Sequence, residues 1–302
     1  MSRQHPPHDQ LFRQLLDNFF TEFMQAFFPE EAACLNLNPL EHMTTEVYFE
    51  GDHTPRLRPD FVVKIKLKGE DTMVLVHIEV QATYDEAFLR RMRRYHARLM
   101  EHEEYQVLPL AVFSYETPHK EPPKEMTHHL NGKTDFSFSY RSIFLRQLSW
   151  QDFSEMKNPA VCALLSKMGY NVEEKVACKK AFLRLITKLE LTEMKRHFIM
   201  QFFDFYLTLT DEEEKQLAKE INRLKPEEGF VIADFMTSYE RLGWKKGIEE
   251  GIEKGRMKGI EEERTETAIR MLREGVEVIF IAKVTQLSVE KVRELQVHMK
   301  EL

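Results

Sequence analysis

Cysteine is scarce in this chain: Cys34, Cys162 and Cys178 are the only three among 302 residues. No two lie close enough for a CxxC redox motif or a paired-cysteine zinc site, and an odd count in a chain this long points to reduced thiols in the cytoplasm. Long apolar runs are missing as well, since none approaches the ~20 residues of a membrane helix. The most apolar stretches, near Phe19–Phe28 and Phe198–Leu209, are broken by Glu22, Gln25, Gln201 and Asp204, and read as helices buried on one face. The opening Met1-Ser2-Arg3-Gln4-His5-Pro6-Pro7 has no apolar core, so no secretory signal is expected there. An excess of positive charge is also absent: 43 Lys+Arg stand against 50 Asp+Glu, for a net charge of −7. A protein that is basic throughout is thereby excluded, and any contact with nucleic acid must come from a local patch.

What is present is a globular composition, 42% hydrophobic with 22 Phe and 9 Tyr. That aromatic content argues against disorder. Apolar residues from Leu11 to Phe27 repeat at three and four, which predicts an amphipathic helix over about Asp9–Phe28, stopped by Pro29. After a loop through Pro39 the period changes to two. Strands are predicted at Met43–Phe49, Arg58–Leu67 and Met73–Gln81, with Lys68-Gly69-Glu70-Asp71 turning between the last two. Asp85 is the expected cap of a charged helix, Glu86–Glu103. A buried strand follows at Val107–Ser114, then a loop over Tyr115–Thr134 and an edge strand over Phe136–Leu145. This order of elements indicates an α/β domain with a mixed sheet. Beyond Trp150 the pattern is helical. The expected organisation is an α/β core over 1–150, a helical extension over 151–240, and a glycine-repeat linker with a small tail over 241–302.

The second and third strands carry the residues that suggest chemistry. Side chains at i and i+2 share a face. His77, Glu79 and Gln81 therefore lie opposite Val76, Ile78 and Val80, and Asp60 lies opposite Phe61, Val63 and Ile65. Two neighbouring strands can thus bring two carboxylates together beside an amide. Such a pair suits a hard divalent ion, which takes oxygen ligands and often keeps several waters. Glu46, on the polar phase of the first strand, is a candidate third carboxylate, and His77 is a candidate base or ligand. The bland alternative is a set of solvated strand-end acids.

Taken in order, several motifs form a wider pattern. His8-Asp9-x-x-Phe12 opens the first helix, Arg58-Pro59-Asp60 and His77-Ile78-Glu79-Val80-Gln81 follow, and Arg94-Tyr95 lies in the next helix. The chain in this respect resembles the recombination-promoting nuclease (Rpn) family, also described as putative transposases, within the PD-(D/E)xK nuclease superfamily. The glycine repeat and Ile281-Ala282-x-x-Thr285-x-Leu287-Ser288 are similar to members of it too. The resemblance implies a restriction-endonuclease-like core and a metal-dependent DNA endonuclease acting in recombination or transposition. It implies Mg²⁺, or Mn²⁺ in its place, held by Asp60 and Glu79. Gln81 then stands where the superfamily has lysine. An amide neither accepts a proton at neutral pH nor carries positive charge to a phosphate, so Gln81 is expected to orient the attacking water. The rival reading keeps the fold and drops the chemistry, leaving a DNA-binding or assembly module.

Arg91, Arg94 and Arg98 recur at three and four and so share a helix face, a candidate DNA-binding patch supplemented by Lys64 and Lys66 in phase with Asp60. The alternative is a solvated face paired with Glu101, Glu103 and Glu104. Gly243, Gly247, Gly251, Gly255 and Gly259 recur every four residues among Lys, Glu and Arg. Each costs up to ~1 kcal/mol in a helix, which predicts either a marginal helical linker or a homo-oligomer contact through 243–260. Val278–Leu295 reads as helix, turn, helix, with Ser288 capping the second helix and Gln286 where a turn glycine is usual. A small packing unit is the favoured reading there.

Overall fold

The structure is a computed structural model that describes residues 8–42, 59–101, 105–116 and 120–300. It divides into two units, Met1–Ile232 and Ala233–Leu302.

In the first unit, α1 (His8–Phe27) buries Leu11, Phe12, Leu15, Leu16, Phe19, Phe20, Phe23, Met24 and Phe27, the stripe that the spacing predicts. Pro29 opens a short α2 (Pro29–Cys34) instead of ending all helix. A strand, β1 (Leu35–His42), follows where the sequence predicts a loop. Its Leu35 and Leu37 are buried, an alternation obscured in the sequence by Asn36, Asn38 and Pro39. The strand expected at Met43–Phe49, and Glu46 with it, lies outside the described residues.

Next come β2 (Phe61–Leu67), β3 (Met73–Gln81), α3 (Phe88–Leu99) and β4 (Tyr105–Phe113). After them stand β5 (Glu125–Leu130), β6 (Lys133–Ser139) and β7 (Arg141–Phe144). The main sheet has the order β1-β2-β3-β4-β7. β1, β2 and β3 are antiparallel neighbours, whereas β4 runs parallel to β3 through the α3 crossover and β7 runs parallel to β4. The fold class is therefore mixed α/β, a five-stranded mixed sheet flanked by helices and followed by a helical C-terminal region.

Between its two ends β3 is buried throughout, on both faces. The period-two reading places a polar face there. Val62, Leu75 and Leu99 close one face in an apolar cluster under α3. On the other, Phe20 of α1 stacks on Phe61 at 5.7 Å between ring centroids. A central strand covered by helices on both sides reads as a continuous apolar run, and His77 and Glu79 are the polar interruptions.

The segment Tyr115–Thr134, expected to be a loop, contains β5, which pairs with β6 in a separate two-stranded hairpin. Its turn residues Asn131 and Gly132 have φ of 50° and 74°, the left-handed pair that a tight two-residue hairpin turn requires. The single edge strand expected at Phe136–Leu145 is thus divided between β6 and β7. Asp85 does not cap α3, whose N-cap is Ala87. Asp85 instead accepts the Ala87 N–H at 2.8 Å in a turn just before the helix.

The helices α4 (Trp150–Phe153), α5 (Pro159–Leu164), α6 (Lys175–Ile186), α7 (Glu193–Tyr206) and α8 (Asp211–Asn222) complete this unit. Every residue of α5 is buried, and α5 packs on α1, α6 and α7. Phe12 of α1 meets Phe202 of α7 edge-on at 5.3 Å. Thr210 and Glu213 form a reciprocal capping box at the start of α8.

A long helix, α9 (Pro226–Arg273), begins at Pro226 and includes the glycine repeat. In the second unit α10 (Val278–Thr285) and α11 (Val289–Lys300) bury Ile281, Ala282 and Val292 against Ala268. Gln286 takes the left-handed conformation between them, with φ 56°, and Ser288 Oγ accepts the Lys291 N–H at 3.1 Å as a helix cap. Among the described residues no helix is long and apolar enough to cross a membrane.

Candidate active site

Continuing the β2–β3 register by one residue from Phe61↔Ile78 sets Asp60 opposite Glu79. The two residues then grip each other's strand. The Asp60 N–H donates to Glu79 Oε1 at 3.0 Å, and the Val80 N–H donates to Asp60 Oδ2 at 2.9 Å. Charge-assisted bonds of this kind hold carboxylates more firmly than neutral ones. A third contact fixes Glu79: His77 Nε2 lies 2.8 Å from the same Oε1. His77 is fully buried and Glu79 is 2% exposed. The Tyr95 ring stands edge-on to the imidazole at 5.3 Å, while His77 Nδ1 has no hydrogen-bond partner. His77 therefore serves as a positioning partner of Glu79, with Nε2–H as the donor.

Two acids held this close in a dry place resist double ionisation. Burial, and then the charge of Glu79, raise Asp60 from the usual carboxylate range to about 7, against the opposing pull of the Val80 N–H and Arg91. The Tyr95 hydroxyl is pushed up by burial and by Glu79 in turn. Asp9, in the first turn of α1, adds to the rise of Asp60. It is a nearby carboxylate that residue-by-residue reading of the sequence does not single out. Its cue is the His8-Asp9-x-x-Phe12 motif.

Gln81, at the end of β3, accepts from Arg91 Nη2 at 2.6 Å and donates from Nε2 to the Val80 carbonyl at 3.1 Å. Arg91 Nη1 donates in addition to Asp85. The three arginines expected to form one patch have different surroundings. Arg91 turns toward Gln81, Arg94 is exposed, and Arg98 pairs with Glu101 at 3.1 Å. Lys64 lies over the Tyr105 ring at 5.0 Å, and Lys66 pairs with Asp71.

Behind the strand ends a polar chain joins distant segments. His8 Nδ1 is 2.7 Å from the Tyr206 hydroxyl, and His8 Nε2 is 3.2 Å from Ser114 Oγ. Ser114 Oγ also donates to the Gln81 carbonyl at 3.1 Å. One orientation satisfies every member: Tyr206 to His8 to Ser114 to Gln81, with a neutral imidazole. Burial and the neighbouring Lys167 do hold His8 down to about 4.

Among the described residues no group of three or more His, Cys, Asp or Glu is placed to hold a metal ion together. Asp60 and Glu79 remain as a pair. A magnesium ion commonly uses one or two carboxylates and completes its shell with water. The charge of Glu79, which adds to the burial that raises Asp60, is offset by a cation, so this donor set fits a hard divalent ion.

Residues 6–131 match the family described as "Putative transposase, YhgA-like", which bears out the resemblance seen in the motifs. The matched segment includes both strands of the carboxylate pair and the arginine helix. Comparisons with curated proteins and with solved structures found no match.

Proposed function

We propose, from the match of residues 6–131 to the YhgA-like putative transposases, that this protein is a metal-dependent DNA endonuclease working in transposition or recombination. The observation that carries the reading is the reciprocal clamp that sets Asp60 and Glu79 face to face on adjacent strands. These two side chains would hold Mg²⁺ or Mn²⁺. When bound, such an ion lowers the pKa of a water and offsets the charge that develops on a leaving oxygen.

The chain's own groups prepare that site. His77 fixes the Glu79 carboxylate, and burial keeps bulk water from competing for it. Gln81 has its oxygen committed to Arg91. Its Nε2 donates to the Val80 carbonyl and keeps a second N–H for a phosphate oxygen, while the second lone pair of its oxygen can still accept from water. Exposed Arg94 tracks the DNA backbone. The glycine-bearing part of α9 links the catalytic unit to the small tail or joins it to a second copy.

A second reading, a non-catalytic DNA-binding or assembly module of the same fold, is favoured by Gln81 in place of lysine. A plasmid-nicking assay with Mg²⁺, Mn²⁺, Ca²⁺ and EDTA separates the two. Nicking by wild type in Mg²⁺ or Mn²⁺, lost by more than about 1000-fold in Asp60→Ala, supports the nuclease. Wild type that binds DNA and never nicks it supports the module.

A further inference from the structure

The nuclease reading leaves one deficit at the end of β3, where Gln81 brings no positive charge. We infer that Arg91 supplies that charge: Gln81 and Asp85 hold its guanidinium at the carboxylate site, where it contacts the phosphate under attack. The inference rests on the function proposed above and adds a substrate-contacting residue to it.

The geometry carries the argument. Arg91 lies on the first turns of α3, directly after the strand that bears Glu79 and Gln81. Its Nη2 donates to Gln81 Oε1 at 2.6 Å, and its Nη1 donates to Asp85, whose own Oδ1 is pinned by the Ala87 N–H at 2.8 Å. Asp85 and Gln81 thus grip the guanidinium from two sides. The stem runs beside the Phe88 ring, with the guanidinium carbon 5.2 Å from its centroid. These bonds leave further N–H donors of the planar fork for a phosphate oxygen. On the same helix, Arg98 turns instead to Glu101.

A lysine at position 81 would place its ammonium on the stem of the strand itself. Here the strand provides an amide and the next helix provides the cation, so Gln81 acts as a bracket. This arrangement suits an arginine, since a lysine ammonium has no fixed fork to bridge two acceptors. It also explains why Gln81 is tolerated beside two acids: its oxygen has a partner in Arg91 and its amide nitrogen one in the Val80 carbonyl.

The test compares wild type, Arg91→Gln, Asp85→Asn/Arg91→Gln and Gln81→Lys/Arg91→Gln, each checked for folding by circular dichroism. In EDTA, duplex DNA binding is measured by anisotropy across a salt series. In Mg²⁺, plasmid nicking gives kcat and KM. Arg91→Gln should lower the salt slope by about 0.9 and reduce kcat by about 100-fold, with a smaller change in KM. Gln81→Lys/Arg91→Gln should recover most of the lost kcat, because the cation returns by the other route. The double neutral variant removes the ion pair without stranding Asp85, and the same losses are expected of it should Arg91→Gln fail to fold. Wild-type kcat and salt slope in the arginine variants would overturn the inference while leaving the nuclease intact. A wild type that never nicks DNA would remove the nuclease reading, and the role of Arg91 in it.

Discussion

β3 and the β5–β6 hairpin both carry histidine and acidic side chains, and those side chains have opposite meanings in the two places. In β3 every residue from Val74 to Val80 is buried, and His77 and Glu79 sit in that dry interior. In the hairpin nearly every residue faces water, so His128, His129 and Asp135 keep their hydration. A charged group costs several kcal/mol to bury unless it is paired, and the cost in water is negligible. Polar residues are therefore informative in β3 and almost silent in the hairpin. A histidine and an acid in each region differ in what covers them.

The largest expected effect sharpens this contrast. His77→Ala removes the Nε2 partner of a buried carboxylate and opens a void beside Tyr95. It should destabilise the protein by about 3 kcal/mol, read from urea unfolding. His128→Ala on the hairpin should stay within about 0.5 kcal/mol. Equal values would break the comparison.

A middle-sized effect comes from Asp60. Its folded-state pKa of about 7 lies above the unfolded value. Between the two values the folded state holds a proton that unfolding releases, so stability falls as pH rises from about 4 to about 7 and is level on either side. Asp60→Asn removes that dependence while its oxygen still accepts the Val80 N–H. In metal-free buffer the variant should match wild type below pH 4 and exceed it in Tm above pH 8, by several degrees in thermal melts. A constant difference across that range would mean that Asp60 ionises normally.

The smallest effect belongs to the hairpin turn. Gly132, with φ 74°, has open space where a Cβ would stand, so only backbone strain opposes Gly132→Ala. The loss should be about 1 kcal/mol in thermal melts, with nicking unchanged.

Legibility follows the same division. α1 is readable because its apolar stripe is long and unbroken, and the Asp60–Glu79 register because the Lys68–Asp71 turn fixes which residues of β2 and β3 meet. Gly69, with φ 77°, is the residue that permits this turn. The double burial of β3 is not readable. It depends on α3, where Phe88, Leu89, Met92, Tyr95 and Leu99 are hidden among arginines. Spacing places Arg91 with Arg94 and Arg98 on one face, yet only the fold shows that Arg91 bonds Gln81. The hairpin announces itself in Asn131-Gly132 and in the alternation from Phe136 in β6, but β5 lacks the apolar alternation that would mark it as a strand. Asp9 lies far from Asp60 along the chain, and no local pattern joins them.

The chain from Tyr206 through His8 to Ser114 has a consequence for synthesis. Tyr206 is 198 positions beyond His8, and the Phe202 that meets Phe12 comes equally late. At about 5–20 residues per second, α1 leaves the ribosome about 10–40 s before α7 does. Until α5 and then α7 are made, the phenylalanine face of α1 lacks the helices that cover it. The segment that matches the family model ends at residue 131, before both helices that cover this face of α1.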